Sequence, residues 1–288
     1  WPRTAQIPEG QARIDVLDVG QGLAVVIRTH NHSLLYDTGP YYSGVADAGD
    51  RVIVPYLRAI GVDRLDGMIV THRDTDHSGG AQSVLESMPV TWVADAPDTH
   101  FAHGVPGVQP KRCAAGTDWR WDGVRFEFLY PQGGLPTADQ ASNHQSCVLR
   151  VSVGGKSMLL TSDIETPDET SLLARGIDRS NVMLVPHHGS GTSSGPNFLD
   201  AVQPEVAVIP VGYRNRYRHP KPDVLSAYEA RRIKMFRTDH DGMVQISLPS
   251  MIITGYRQTN GWARTRTVYF AMAFSKPFYQ FNRLKNFK

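Results

Sequence analysis

The sequence predicts an α/β domain, specifically an αββα sandwich of two mixed β-sheets with helices on the outside. Three observations lead there. Gly and Pro are frequent (26 and 19 in 288 residues), as in a loop-rich α/β protein rather than a helical bundle. Short β-branched, apolar runs recur along the chain. Helical spacings fall between and after two blocks of such runs, and two sheets that each bury one face on the other need helices to cover the remaining faces.

The first block opens with strands expected at 12–18 and 23–28, separated by the break Gly20-Gln21-Gly22, and a third at 33–37 after the turn-like Asn31-His32. Residues 51–60 have helical spacing and stop at Gly61. A short apolar strand at 66–70 follows, then a polar run, then Gly79-Gly80 leading into a helix to about Met88. The clearest hairpin is 118–130, because Asp122-Gly123 sits between two alternating runs. A second hairpin is expected from 147–153 and 157–161 through Gly154-Gly155. Later segments alternate: strand 182–185, helix near 197–202, strand 205–210, helix 223–232, and strands near 233–236 and 243–248. With no repeat and no long linker, residues 1–255 read as a single domain and 256–288 as a C-terminal extension.

With 41% hydrophobic residues the chain can bury a sizeable core, and no run approaches the ~18–20 apolar residues that span a bilayer. It opens at Trp1-Pro2-Arg3 without a start Met, as a mature form or an excised domain would. Cys113 and Cys147 are too few for a disulfide framework and sit in apolar, strand-like surroundings, so they are expected as buried free thiols. The net charge of +2 is unevenly spread. Residues 256–288 carry Arg257, Arg264, Arg266, Lys276, Arg283, Lys285 and Lys288 among many aromatics, with no Asp or Glu. That tail could track nucleic acid, rest on an anionic membrane surface or pack as an irregular strand.

Chemistry concentrates in three places. His72-Arg73-Asp74-Thr75-Asp76-His77 follows an apolar strand and precedes Gly-Gly and a helix, so its potential ligands crowd a strand-to-helix loop at a sheet edge. Asp163 ends the strand 157–162; it reads as a carboxylate able to bridge two cations or as a helix cap. Pro186-His187-His188-Gly189-Ser190 directly follows the strand 182–185.

Together these motifs resemble the metallo-β-lactamase superfamily and, more narrowly, the C-terminal hydrolase-like domain of the ComEC family of DNA-uptake channels. Leu17-Asp18-Val19-Gly20-Gln21-Gly22, Tyr36-Asp37-Thr38-Gly39, Ser146-Cys147-Val148-Leu149, Arg218-His219-Pro220 and Thr238-Asp239-His240-Asp241-Gly242 extend the match over roughly 12–248. The resemblance implies the metallo-β-lactamase fold and two divalent metal ions. His72 and Asp74 would belong to one ion, Asp76 and His77 to the second. Asp163 would bridge them, and one of His187 and His188 would complete the second site. Asp76, His77 and Asp163 would carry catalysis. Asp74 stands where the wider superfamily has a histidine, which favours Mn²⁺, with Zn²⁺ possible. In place of a middle histidine the pattern relies on Asn143 and Ser146; His144, one position off, is a ligand or a loop histidine. His219 matches a late histidine that contacts metal or phosphate, or it serves a turn.

A pair of cations suits phosphodiester cleavage because it clamps both the attacking and the leaving oxygen. Tyr213-Arg214-Asn215-Arg216-Tyr217-Arg218 interleaves cations with aromatics, as phosphate contact and base stacking require, or as a solvated turn allows. The expectation is a metal-dependent DNase degrading the strand not imported during natural transformation. The alternatives are a DNA-guiding domain with a weak site and a small-molecule phosphodiesterase. Expected partners are DNA, a transmembrane channel part of a longer protein and other competence proteins. The expected place is a soluble domain of an inner-membrane protein, on its extracytoplasmic (periplasmic) side.

Overall fold

A computed structural model of the chain describes residues 6–96, 99–102, 104–132, 142–259, 262–263 and 266–269, with side chains as far as residue 257. The strands begin with β1 (Ala12–Val16), β2 (Val25–Arg28), β3 (Ser33–Tyr36), β4 (Tyr41–Ser43), β5 (Ala46–Asp47) and β6 (Leu65–Val70). Next come β7 (Val90–Asp95), β8 (Gln109–Arg112), β9 (Asp118–Trp121), β10 (Val124–Tyr130), β11 (Val148–Val153) and β12 (Lys156–Leu160). The last are β13 (Val182–Leu184), β14 (Val206–Ile209), β15 (Lys234–Arg237), β16 (Val244–Leu248), β17 (Ile252–Gly255), β18 (Gln258–Thr259), β19 (Trp262–Ala263) and β20 (Arg266–Tyr269). The helices are α1 (Val54–Ala59), α2 (Thr75–Ser78), α3 (Ala81–Ser87), α4 (Thr166–Ala174), α5 (Pro196–Val202), α6 (Pro222–Ala230) and α7 (Thr238–Asp241).

Two mixed sheets form, ordered β20-β17-β16-β1-β2-β3-β6-β7-β8 and β15-β14-β13-β12-β11-β10-β9. Strand alternation explains the layering. On β2, Val25 and Ile27 enter the layer between the sheets while Val26 faces the other way. On β12, Met158 and Leu160 point inward and Leu159 outward. The outward residues of the first sheet pack on Ile53, Val54, Leu57 and Val84, and those of the second on Phe198, Leu199, Val202 and Tyr228. Each fully buried Val, Leu or Ile in these three layers contributes ~1.5–3 kcal/mol. Both sheets are thus covered on both faces, and the αββα expectation holds.

The Asp122-Gly123 turn forms with φ of 48° and 82°, the left-handed pair that a two-residue hairpin needs. Its carboxylate also accepts bonds from Thr29 Oγ1 (2.5 Å), Asn31 N (2.8 Å) and Asn31 Nδ2 (3.1 Å), and lies 2.9 Å from His32 Nδ1. One side chain therefore ties the second sheet's hairpin to the β2–β3 turn of the first. The helix expected over 51–60 is shorter, with a π-helical turn at Gly49–Ile53 running into α1. Of the basic extension, the backbone at Arg266–Tyr269 adds β20 antiparallel to β17. Residues 270–288, with Lys276, Arg283, Lys285 and Lys288, lie outside the described residues.

The cysteine expectation is overturned. Cys113 and Cys147 are buried as expected but joined in a disulfide, with Cα atoms 5.7 Å apart. Cys113 leaves the edge of the first sheet after β8, and Cys147 precedes β11 of the second, so the packing of sheet on sheet brings them together. Nothing local in the sequence marks a pairing across 34 residues.

Candidate metal centre

The site lies where parallel strands of both sheets end, the crevice that α/β folds use for ligands. β3 runs parallel to β6, and β12 parallel to β13. Their carboxyl ends deliver Asp37, Thr71-His72, Asp163 and His187-His188 to one edge. The single turn α2 then supplies Asp76 and His77. Gly22 lets the backbone close over this turn: Leu23 N donates to Asp76 O at 3.0 Å, and a Cβ at position 22 would collide with that carbonyl.

Asp76, His77, Asp163 and His188 form the group whose ligand atoms all lie within 4.8 Å of one another. His77 Nε2 is 3.1 Å from Asp163 Oδ1, and His188 Nε2 is 3.4 Å from both Asp163 Oδ2 and Asp76 Oδ2. The two Nε2 atoms face each other at 3.2 Å. Each ring is held from behind: His77 Nδ1 sits 2.8 Å from Asp37 Oδ2, and His188 Nδ1 donates to the Pro210 carbonyl at 2.7 Å. With both Nδ1 positions committed, the two Nε2 atoms point at the carboxylates, and on losing the Nε2 proton each ring would offer a lone pair there. Nitrogen and oxygen donors converging this way, with fixed tautomers, fit a divalent cation.

The electrostatics agree. Burial would raise the Asp163 pKa, but His188 and His77 outweigh it and hold this carboxyl well below the ordinary range. Burial would lower the His77 pKa, yet Asp163 and Asp37 carry it well above the ordinary imidazole value. For His188 the same opposition, with Asp163 and Asp76 prevailing, gives about 10. Burial opposes charge on Asp76, but His188 and His77 bring it down to about 2. So dense a charge cluster, with Asp37, Ser162, His187 and His188 all at left-handed φ between 48° and 59°, has the backbone strain typical of functional sites.

His72 is fully buried, and its Nε2 has no hydrogen-bond partner. Burial, then His77, lowers its pKa to about 4, so the ring stays neutral with a free lone pair. An orphaned buried imidazole nitrogen beside this cluster is a second feature that a cation would satisfy. Asp74 is the N-cap residue of α2 but makes no side-chain capping bond; its side chain is 46% exposed, and its Oδ2 lies 3.8 Å from His72 Nε2. It stands beside the cluster, not within it. His187 also stays out of the group: its Nε2 is 3.7 Å from Asp163 Oδ2 and its Nδ1 3.2 Å from Glu165 Oε1.

Ser146 Oγ accepts from Asp163 N at 3.3 Å, and Asn143 Nδ2 donates to Glu165 Oε1 at 3.2 Å. His144 is turned away, its Nδ1 2.9 Å from both oxygens of Asp168. His219 follows the Arg–Tyr loop; its ring stacks on Tyr217 at 5.7 Å and lies 6.0 Å from that of His187. Burial, then His188 and His187, lowers its pKa to about 4. Arg214, Arg216 and Arg218 are exposed on that loop.

Asp37, within the Tyr36-Asp37-Thr38-Gly39 motif, has no place in the ligand set that the resemblance implies. It is fully buried and accepts from Thr71 N and Thr71 Oγ1, both at 2.8 Å, besides holding His77. The signal was a carboxylate closing an apolar strand just before Thr38-Gly39. Glu165 and Asp168, which fix His187 and His144, were unmarked.

Residues 17–213 match the model of the metallo-β-lactamase superfamily. Competence protein ComA of Neisseria gonorrhoeae is 42% identical over 248 residues, 85% of this chain and 34% of that protein. Recombination protein 2 of Haemophilus influenzae is 34% identical over 242 residues, 84% of this chain and 29% of that protein. The chain therefore spans about a third of the length of these relatives. Among solved structures, the metallo-β-lactamase fold protein YhfI of Bacillus subtilis superposes with a TM-score of 0.57 at 11% identity, covering 82% of this chain and 99% of its own; this likeness shows the fold alone. The chain belongs to the metallo-β-lactamase superfamily, and its relatives include competence protein ComA and Recombination protein 2, homologues in the ComEC family.

Proposed function

We propose that the chain is a metal-dependent nuclease that hydrolyses DNA phosphodiesters with two divalent ions, degrading the strand not imported during natural transformation. The observation that carries this is the convergence of Asp76, His77, Asp163 and His188 beside the orphaned His72 nitrogen. The first four residues would hold one ion. His72 and Asp74 would hold the other, with Asp163 between. Bound there, divalent ions supply positive charge to the attacking and leaving oxygens of a phosphodiester. The chain's own contribution is to fix the donors through Asp37 and the Pro210 carbonyl, and to present Arg214, Arg216 and Arg218 beside the site for phosphates. The carboxylate at position 74 favours Mn²⁺.

DNA as the substrate rests on the names of the relatives and on the Arg–Tyr loop next to the centre. The partners follow from the same likeness: a transmembrane channel part and other competence proteins. The extracytoplasmic side is supported by the Cys113–Cys147 bond, because disulfides persist in oxidising compartments. A second reading, a DNA-guiding module with a weak site, is favoured by one observation: His144 is committed to Asp168, so no third histidine joins His72 among the described residues.

The test is a DNA hydrolysis assay across Mn²⁺, Mg²⁺ and Zn²⁺, with Asp76→Ala and His77→Ala checked for folding by circular dichroism. Metal-dependent cleavage lost in both folded variants is expected. Full activity in chelator, or in Asp76→Ala, would sink the nuclease reading. DNA binding that survives both substitutions, with no turnover on any metal, would establish the guiding module instead.

A further inference from the structure

We infer that two tyrosine-bearing loops beside the metal centre form a stacking clamp for unpaired bases, so that this site selects single-stranded over duplex DNA. The inference rests on the nuclease reading for its substrate and deepens it by assigning strandedness and the residues that set it.

Exposed large apolar side chains are few among the described residues: Tyr41 (51%), Tyr42, Val45, Tyr213 (64%), Tyr217 and Tyr256. Five of these six are tyrosines, and four of the five sit on two loops. The first loop is the β4–β5 hairpin. Two residues before Pro40-Tyr41, Thr38 donates to the His77 carbonyl through both its N (2.7 Å) and its Oγ1 (2.8 Å), and Gly39 N donates to Leu23 O. The hairpin therefore starts directly on the turn that carries Asp76 and His77. The second loop, 212–218, leaves β14 just after Pro210, whose carbonyl holds His188, and ends on His219.

The same strip of backbone joins the two. Tyr42 Oη donates to Val19 O at 3.0 Å, and Gly212 N donates to Gln21 Oε1 at 3.2 Å. Residues 19–22 thus contact both loops, and the next residue is tied to Asp76 through the Leu23 N bond to the Asp76 carbonyl. Both tyrosine-bearing loops therefore border one strip of backbone that reaches Asp76.

The chemistry of the second loop says what such rings receive. Arg214 lies over the Tyr213 ring at 5.2 Å and Arg216 over the Tyr217 ring at 4.7 Å. Tyr217 in turn stacks on His219, with planes 12° apart, so a stacked run leads from solvent toward His187. Cations beside exposed rings match a strand that offers a phosphate and a bare base face at each nucleotide. A duplex offers the phosphates, but its base faces are already stacked inside the helix. Tyrosine placed this way contributes only where bases are unpaired.

The experiment uses the 288-residue chain in EDTA, where no turnover complicates binding. Fluorescence anisotropy compares an oligothymidylate, a strand of abasic sites of equal length, and a blunt duplex. Tighter binding of oligothymidylate than of the other two is expected. Tyr41→Ala and Tyr213→Ala should each weaken oligothymidylate binding by about five- to one-hundred-fold while leaving the abasic strand and the duplex unchanged. Tyr41→Phe and Tyr213→Phe, which keep the ring, should bind like the original chain. Equal loss on thymidylate and abasic strands, no loss at all, or duplex bound as tightly as single strand would overturn the clamp. Cleavage of the same thymidylate strand with Mn²⁺ is scored separately. Base-dependent binding without cleavage would keep the clamp and remove the nuclease, and cleavage with base-independent binding would do the reverse.

Discussion

Replacing Asp37 by alanine should weaken metal binding although Asp37 is not itself a ligand. The carboxylate makes three 2.8 Å contacts, to Thr71 N, Thr71 Oγ1 and His77 Nδ1, in a fully buried position. Removing it frees the His77 ring to rotate and to place its proton on Nε2, the nitrogen that faces Asp163. Loss of such an outer carboxylate costs about 10- to 100-fold in affinity, or about 1.4–2.7 kcal/mol. The buried Thr71 N–H is also left without its acceptor, at about 1–3 kcal/mol of stability. The two effects need separating. Asp122→Ala, which breaks three hydrogen bonds and a His32 contact between turns of the two sheets, serves as the control for general destabilisation. Competition against a chromophoric chelator for Mn²⁺ and Zn²⁺ measures affinity, and urea unfolding measures stability. Weaker metal binding in Asp37→Ala, with unchanged binding in a comparably destabilised Asp122→Ala, is the expected pair. Wild-type affinity in a folded Asp37→Ala chain would refute the reasoning.

Three further outcomes are expected. Asp74→His should shift metal preference toward Zn²⁺, since imidazole is softer than carboxylate; identical metal content and activation profiles would show that Asp74 touches no metal. Replacing Arg214, Arg216 and Arg218 together by alanine should flatten the log–log salt dependence of DNA binding by about two to three units while metals stay bound. An unchanged slope would move the phosphate path elsewhere. Glu169 is buried, and burial raises its pKa from 4.5 to about 7 against the hydrogen bonds of Gly195 N and Ser194 N. The folded chain then holds this proton more tightly than the unfolded chain, so Glu169 lowers stability as pH rises from 4.5 to 7, by up to about 3 kcal/mol. Urea midpoints of the original chain and Glu169→Gln should diverge across that window, and parallel profiles would contradict the assignment.

What the sequence made legible was local. The alternation on β2, β10 and β12 announces two-faced burial, and Asp122-Gly123 announces its own turn. The six residues from His72 to His77 reveal a site because their donors crowd one loop. What escaped was set by pairings far apart in the chain. Asp37 matters only because β3 runs parallel to β6, 34 residues separate it from Thr71, and that pairing is invisible in either strand alone. His144 turns to Asp168 because α4 begins with a capping box whose Asp168 side chain is already fixed by Glu165 N and Tyr130 Oη. The β4–β5 hairpin is two and three residues a strand, too short to show a period. Between His187 and His188 the sequence offers no distinction. The structure separates them by what holds each ring from behind, a carbonyl for one and Glu165 for the other.

The Cys113–Cys147 bond bears on what happens when the centre is empty. Asp76 and His77 belong to the first sheet's wall and Asp163 and His188 to the second's, so the donors could drift apart if the layers breathed. Cys147 is covalently moored to the first layer, and its backbone is gripped there twice more: its N donates to Thr71 O at 3.3 Å and its carbonyl accepts from Tyr36 Oη at 2.6 Å. The neighbouring Ser146 holds the Asp163 amide. The walls are thus riveted together within a few residues of the ligands. A cation bound there would meet donors already in position rather than having to gather them.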